Sequence, residues 1–200
     1  MPHHFASPLL ALSLFAAAPA AAQASDPAQA TIQTLDDGLL AIMKAGKAAG
    51  VDGRAQKIGP VVDRTFDIPL MTRLSVGTTW STIAPADQNA LVAAFRRLTV
   101  RQFAKNFDGF SGETFTIAPQ VEHRGGDKLV RTTLKGSGAP VAISYRLRQS
   151  GGQWKIIDVF YKNSISQLAT RRADFASVLQ SGGAKALVAH LDQLAAKPAA

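Results

Sequence analysis

Residues 141–148 read VAISYRLR, an octapeptide in which every second position holds a large apolar side chain. Residues i and i+2 of an extended chain share a face, so the four large apolar residues fall on one side of it. The small and charged residues between them fall on the other side. The octapeptide therefore predicts a β-strand with one buried face.

Three more segments continue this pattern on both sides of the octapeptide. Residues 115–121, 129–134 and 154–161 are rich in β-branched and aromatic residues, and turns that contain Gly separate them. Short turns join strands that run antiparallel. The chain from 115 to 161 is therefore predicted to form a four-stranded antiparallel meander.

Helical periodicity flanks the meander on both sides. Before it we predict helices over 26–46, 52–66, 69–77 and 85–109, with Gly59-Pro60 bending or interrupting the second. After it we predict one helix capped by Ser164 that stops at 181–183, and a second helix up to Pro198. The fold class is α+β: a twisted meander covered by helices from both ends of the chain, with an apolar cavity between them.

The N-terminus has the pattern of a signal peptide. Residues 9–18 (LLALSLFAAA) are apolar, and small residues follow up to Ala22-Gln23-Ala24. The run is too short to span a bilayer, but residues 1–4 lack Lys and Arg, so an uncleaved anchor is the alternative. We expect a cleaved signal peptide over 1–24, a single domain over 25–200 and a periplasmic location.

Composition narrows the class of protein. The chain of 200 residues has no cysteine, which excludes disulfides and thiolate metal sites. His123 and His190 lack a metal-binding spacing, so we predict no metal and no cofactor. The net charge of +8 falls on the part after residue 25. Export makes nucleic acid an unexpected partner for this charge and leaves anionic membrane surfaces.

The sequence offers little catalytic chemistry. It contains no GxSxG elbow and no phosphate-binding loop between a strand and a helix. Asp158 lies inside an apolar strand, and a buried carboxylate is one of the groups that enzymes use as a general base. One alternative is therefore an NTF2-like enzyme acting on a hydrophobic small molecule, with Tyr145 or His123 as partner of Asp158. The simpler interpretation of Asp158 is a structural hydrogen-bond acceptor, and we predict that the protein is not an enzyme.

Aromatic residues are numerous and spread over both predicted layers. Ten Phe, two Trp and two Tyr lie on faces that should converge between helices and sheet. An apolar cavity there would suit acyl chains or fused hydrocarbon rings, which bind by burial of apolar surface. Ordinary core packing explains the same residues, so a structural adaptor with a filled core is a further alternative.

Six blocks of the sequence carry a resemblance to a known family. They are FDIPLM (66–71), VGTTW (76–80), residues 85–98, WKIIDV (154–159), ISQLATRRADF (165–175) and GGA (182–184). In order and spacing they resemble the toluene-tolerance and MlaC family of periplasmic lipid-binding proteins, most closely its branch associated with hopanoid biosynthesis. Asn163 departs from the family, which usually has Gly there, but Asn tolerates the left-handed conformation of a turn.

The resemblance implies a non-catalytic shuttle and auxiliary component of an ABC transporter. Such a protein holds the tails of a phospholipid or hopanoid between sheet and helices and contributes to outer-membrane maintenance. It exchanges its cargo with an inner-membrane transporter complex and an outer-membrane lipoprotein complex, through transient membrane contact. We expect a monomer.

We predict that the residues contacting lipid come from both layers. They are Val76, Trp80, Phe95, Leu98, Phe103 and Phe107 from helices, and Ile143, Tyr145, Ile157, Val159 and Tyr161 from the sheet. Arg97, Arg101 and Lys105 repeat every four residues along one line of a helix. We predict that this line faces anionic headgroups or an acidic partner, and a solvated face is the simpler interpretation.

Overall fold

A computed structural model describes residues 26–197, and the predicted signal peptide lies outside the described residues. The elements are α1 (Pro27–Ala45), α2 (Gly50–Thr65), α3 (Ile68–Val76), α4 (Pro85–Asn106), β1 (Thr114–Arg124), β2 (Asp127–Lys135), β3 (Val141–Ser150), β4 (Gln153–Tyr161), β5 (Ile165–Ser166) and α5 (Gln167–Ala196). Short 3₁₀ helices follow α1 and α3 over Lys47–Ala49 and Gly77–Thr82. The α+β class predicted from the sequence is confirmed.

The sheet is an antiparallel meander with the strand order β1-β2-β3-β4-β5. The four predicted strands are present, and a fifth of two residues pairs with the end of β4. The sequence did not predict β5, because two residues carry no periodicity. Along β3 and β4, Ile143 lies opposite Tyr161 and Tyr145 lies opposite Val159, which places all four on one face of the sheet.

A β-bulge interrupts the pairing of β3 with β4. The register shifts between Arg146 and Leu147, because Arg146 pairs with Asp158 while Leu147 pairs with Ile156. Ile157 is the extra residue, and both Ile156 and Ile157 are buried. A bulge leaves one residue without a partner and changes the alternation of faces. Ile157 therefore does not continue the alternation of Val159 and Tyr161, with which the sequence analysis grouped it as a residue that contacts lipid.

The first helix is tied to the sheet at its N-terminus. Asp26 accepts a hydrogen bond from the backbone N–H of Ala28 at 2.8 Å, and the side chain of Gln29 accepts one from that of Asp26 at 3.1 Å. This capping box satisfies N–H groups that a helix start leaves free. The Asp26 carboxylate also pairs with Lys128 of β2 at 2.6 Å. The predicted start of α1 is confirmed.

Two predicted helix boundaries are corrected by the structure, and a third is confirmed. Helix α2 continues through Pro60, where the buried side chains of Ile58 and Val62 hold the turn in the core. Helix α4 ends at Asn106 instead of Gly109. The break predicted at 181–183 is present, because Gly183 is non-helical with a φ of 68°, and the two predicted helices lie on either side of it within α5.

The turn between β4 and α5 keeps the conformation predicted for Asn163. Its φ is 59°, in the left-handed region, and its side-chain oxygen accepts a hydrogen bond from Ser144 Oγ at 2.7 Å. The helix begins later than predicted, because Ser166 rather than Ser164 is its N-cap. Ser166 Oγ accepts from the backbone N–H of Ala169 at 3.0 Å. Asn in place of Gly thus preserves this turn.

Candidate functional site

A cavity of about 550 Å³ lies between the sheet and the helices. Its volume is within the range of roughly 300–1,000 Å³ that is typical of small-molecule sites. The described residues that line it come from α1, α3, α4 and α5, from the C-caps of α2 and α4 and from three strands: Leu39, Phe66, Met71, Phe95, Thr99, Gln102, Phe103, Asn106, Phe107, Leu134, Val141, Ile143, Tyr145, Val159, Tyr161, Gln167, Leu168 and Arg171.

The sheet wall of the cavity follows from the register of β2, β3 and β4. Val141, Ile143 and Tyr145 alternate along β3 and point to the same side. Their partners Leu134, Val159 and Tyr161 on the neighbouring strands lie on that side too. The octapeptide that predicted the fold therefore supplies the centre of this wall.

The opposite wall is one face of α4. Phe95, Thr99 and Phe103 lie four residues apart and form a line that faces the sheet. Gln102 and Asn106, also four apart, line the cavity beside them and are exposed. The cavity is therefore apolar within, and amide groups lie at its rim.

A row of phenylalanine rings extends this apolar wall. Phe66 lies 5.7 Å from Phe103, Phe103 lies 6.1 Å from Phe107, and Phe107 lies 6.5 Å from Phe115, measured between ring centroids. These spacings are those of favourable aromatic pairs. The first three rings line the cavity. Much of the wall therefore offers no hydrogen-bonding group to select a ligand.

Arg171, in the first turns of α5, brings a charge to the cavity wall. Its Nη2 donates a hydrogen bond to Gln102 Oε1 at 2.8 Å, and its guanidinium lies 4.6 Å from the ring centroid of Phe95. Its Nη1 is enclosed and has no hydrogen-bond partner among the described residues. Burial lowers the pKa of Arg171 to about 10, so the group stays charged at neutral pH.

Seven of the eleven residues predicted to contact lipid line this cavity. They are Phe95, Phe103, Phe107, Ile143, Tyr145, Val159 and Tyr161. The other four do not: Val76 lines a separate groove between α3 and α5, and Trp80 lies in the 3₁₀ helix after α3. Leu98 is buried in the core beside the cavity-facing line of α4, and the bulge displaces Ile157.

Sequence reasoning missed the remaining wall residues. Leu39 and Met71 share the helical spacing of ordinary core residues, so nothing in the pattern distinguishes them. Gln102, Asn106 and Gln167 are polar, and the prediction considered only apolar side chains. Arg171 carried a signal that was available: it is a charged residue in the block ISQLATRRADF (165–175) of the family resemblance.

The three cations predicted to meet headgroups or a partner already have partners within the chain. Arg97 pairs with Asp192 of α5 at 2.8 Å, and Arg101 pairs with Asp52 of α2. Lys105 Nζ donates to the backbone oxygen of Ala195 at 2.6 Å. The cavity wall contains none of the three cations. They connect α4 to its neighbours on the side away from the cavity.

Asp158 has a structural role at the start of α5. Its carboxylate accepts hydrogen bonds from Ser166 Oγ at 2.6 Å, from the backbone N–H of Val159 at 2.8 Å and from that of Leu168 at 3.0 Å. It does not line the cavity, and His123 is exposed on β1. No observation therefore favours the general-base alternative.

The described residues, 26–197, contain neither a cluster of metal-binding side chains nor a membrane-spanning helix. In that range no group of three metal-binding side chains is close enough to hold an ion. No helix there combines the length and the hydropathy needed to cross a bilayer.

Comparison with known proteins adds a family and a solved structure. The family described as MlaC protein matches residues 33–193. The chain is also similar to the phospholipid-binding protein from Ralstonia solanacearum, solved in complex with a phospholipid. The two are 30% identical with a TM-score of 0.71, and the match covers 84% of this chain and 97% of that one.

Proposed function

This chain belongs to the MlaC protein family, and we propose that it is a periplasmic phospholipid carrier. In this proposal one acyl chain of the phospholipid occupies the cavity between the sheet and α4. The observation that carries the proposal is the cavity wall, which is uncharged except for Arg171 and rich in Phe, Ile, Leu and Val. The phospholipid bound by the similar protein from Ralstonia solanacearum supports the same class of ligand.

The volume of the cavity suits one hydrocarbon tail. A water molecule takes about 30 Å³ in the liquid, and a methylene group is of similar size. The cavity of about 550 Å³ therefore holds roughly 18 such groups, enough for one long acyl chain. Burial contributes about 0.8 kcal/mol per methylene, which is on the order of 10 kcal/mol for the whole tail before the costs of binding.

The proposed role is transfer rather than catalysis. A lipid whose tail is buried and whose headgroup lies at the rim can cross an aqueous compartment and be released to a membrane complex. We propose exchange with an inner-membrane transporter complex and an outer-membrane lipoprotein complex, with phospholipid as the cargo. A hopanoid is the alternative cargo. Docking of an acidic partner on the line of Arg97, Arg101 and Lys105 remains a prediction, and it would compete with the ion pairs of the two arginines and the hydrogen bond of Lys105.

Lipid mass spectrometry tests the cargo directly. The protein is purified from its own cells without detergent, and its extract is compared with that of a co-purified cytosolic protein. We expect phospholipid in near-equimolar amount. Hopanoid in its place would replace the proposed cargo, and an extract without any lipid, combined with no uptake from vesicles, would contradict the carrier function.

Substitution of Ile143 by Trp tests the cavity. The indole occupies space that the tail needs, and the loss of even two buried methylenes corresponds to about a tenfold weaker affinity. We expect uptake of a fluorescent phospholipid to fall by about tenfold or more, while the free energy of unfolding in urea stays near that of the wild type. Ile143→Val is the matched control and should retain uptake.

A filled core predicts the opposite pattern for the same variant. Extra volume in a packed interior destabilises a protein by about 1–3 kcal/mol. Ile143→Trp with such a loss of stability and unchanged lipid uptake would therefore favour the structural adaptor over the carrier.

A further inference from the structure

Resting on the proposed function, we propose that Arg171 binds the phosphate group of the lipid and makes the cavity selective for lipids that carry a phosphate. The side chain lies where α5 and α4 meet at the exposed amide of Gln102. A tail between sheet and α4 with its headgroup at this rim places a phosphate beside the guanidinium.

The charge of Arg171 has no counterion in contact with it among the described residues. Among the described residues that line the cavity it is the single charged side chain. No carboxylate of residues 26–197 forms an ion pair with it; Asp158, whose charge acts on it from a distance, is occupied by three other donors. A desolvated cation without a paired anion is unfavourable. The site therefore favours an anionic ligand.

The Arg171 side chain has hydrogen-bond donors available for a phosphate group. A guanidinium has five N–H donors, and the structure gives it one acceptor, the neutral amide oxygen of Gln102, at 2.8 Å. A phosphate oxygen that replaces this amide at Nη2 forms a charge-assisted hydrogen bond, which is stronger than a neutral one. Gln102 is exposed, so its amide can turn to water when it is displaced.

The ring of Phe95 holds the guanidinium in place for this contact. The 4.6 Å separation lies within the range of a cation–π interaction. Phe95 is itself fully buried and packs edge-on against Phe175, with ring centroids 6.2 Å apart. The cation is thus positioned by the core rather than by a flexible loop, and little ordering remains to be done when the phosphate arrives.

The experiment compares two lipids that differ in the phosphate. The delipidated mature protein is loaded with the uncharged fluorophore Nile red. Phosphatidylglycerol and diacylglycerol with identical acyl chains are then added separately, and the displacement of the fluorophore gives the affinity for each lipid. The wild type should prefer phosphatidylglycerol. Arg171→Gln should weaken the affinity for phosphatidylglycerol by about 10- to 100-fold, the range for a hydrogen bond to a charged group, and leave the affinity for diacylglycerol unchanged.

Two further variants separate the contact from general charge. Arg171→Lys keeps the charge but loses the planar pair of donors, so it should recover part of the preference. Arg172→Gln removes an exposed charge one position along, outside the cavity, and should bind both lipids as the wild type does. An equal loss of phosphatidylglycerol affinity in Arg172→Gln would overturn the proposal in favour of long-range attraction.

The remaining outcomes distinguish this proposal from the carrier function. If Arg171→Gln keeps the wild-type preference, or weakens both lipids equally, the phosphate role is wrong and the carrier function stands. If neither lipid displaces the fluorophore from the wild-type protein, the carrier function itself is contradicted.

Discussion

Asp36 is a buried acid in the middle of α1 without a hydrogen-bond partner. It is 1% exposed, and neither of its carboxylate oxygens has a partner among the described residues. Burial, with a smaller contribution from the charge of Asp37, raises the pKa of Asp36 from 3.8 to about 7. Its carboxyl group is therefore protonated in the folded protein at mildly acidic pH.

This shift makes stability depend on pH in a defined direction. Between pH 3.8 and about 7 the carboxyl group of Asp36 holds a proton in the folded state that it has lost in the unfolded state. The free energy of unfolding therefore falls as pH rises, by up to about 1.4 kcal/mol per pH unit. Asp36→Asn is neutral at every pH and should remove that slope. Urea unfolding of both proteins across this window measures the difference.

Other titrating groups cancel in that comparison. Pairing with Arg96 lowers the pKa of Asp63, and pairing with Arg148 and Arg146 lowers the pKa of Asp127, so their contributions are lost only in more acidic solution. Asp37→Asn, on the exposed side of α1, is the matched control and should retain most of the slope. Parallel curves for the wild type and Asp36→Asn would contradict the assignment.

At the scale of elements, α1 and α2 approach each other closely at Gly38. A Cβ atom built on Gly38 would lie 2.8 and 3.0 Å from the two methyl groups of Val61 and 3.2 Å from Ile58. Such distances are shorter than van der Waals contact. The glycine is therefore required by the packing of the two helices, although a glycine inside a helix is otherwise unfavourable.

Gly38→Ala should destabilise the protein despite the better helix propensity of alanine. Overpacking of this kind costs about 1–3 kcal/mol, against a gain of about 1 kcal/mol from propensity. Gly53→Ala in α2 is the control, because its Cβ would meet only Ala49 at 3.4 Å, and it should be neutral or stabilising. Urea unfolding compares the two; equal effects would show that the helices can separate without penalty.

The existence of the elements was predictable from sequence, and some of their boundaries were not. Apolar periodicity and capping residues locate α1, α3 and β1 to β4, because local chemistry determines them. The continuity of α2 through Pro60 depends on burial of residues far apart in sequence. The start of α5 at Ser166 depends on Asp158, and the bulge at Ile157 depends on how β4 pairs, so all three require the tertiary structure.

At the scale of the molecule, α4 is joined to its neighbours by the three cations that were predicted to contact headgroups or an acidic partner. Arg97 connects it to α5, Arg101 to α2, and Lys105 to the end of α5. Exposed ion pairs contribute about 0–1 kcal/mol each. The charge of this face is thus largely matched within the fold.

Arg97→Gln should therefore have small effects. We expect a loss of at most about 1 kcal/mol in the free energy of unfolding, smaller at high salt, because the pair with Asp192 is half-exposed. The affinity for phospholipid should not change, since Arg97 does not line the cavity. Unfolding at two salt concentrations and a binding titration measure both. A large loss of lipid affinity would return Arg97 to the headgroup role predicted from the sequence.

The candidate site shows where sequence reasoning ends. Four of the six strand positions in the cavity wall were found because alternation places them on one face, and three Phe of α4 and its C-cap were found from helical spacing. A cavity is a gap between elements, however, and its rim depends on how far the sheet and helices are separated. Gln102 and Asn106 were therefore visible as wall residues only once that separation was known.

The carboxylate of Asp158 has a mechanical consequence for loading. By holding the N–H groups of Val159 and Leu168 together, it makes the end of the sheet and the first turn of α5 move as one piece. Val159 and Leu168 both line the cavity, so the strand side and the α5 side of the cavity are held at a fixed distance from each other. A bulkier ligand would then have to displace side chains of the opposite wall, such as Phe95 and Phe103, because β4 and α5 do not separate.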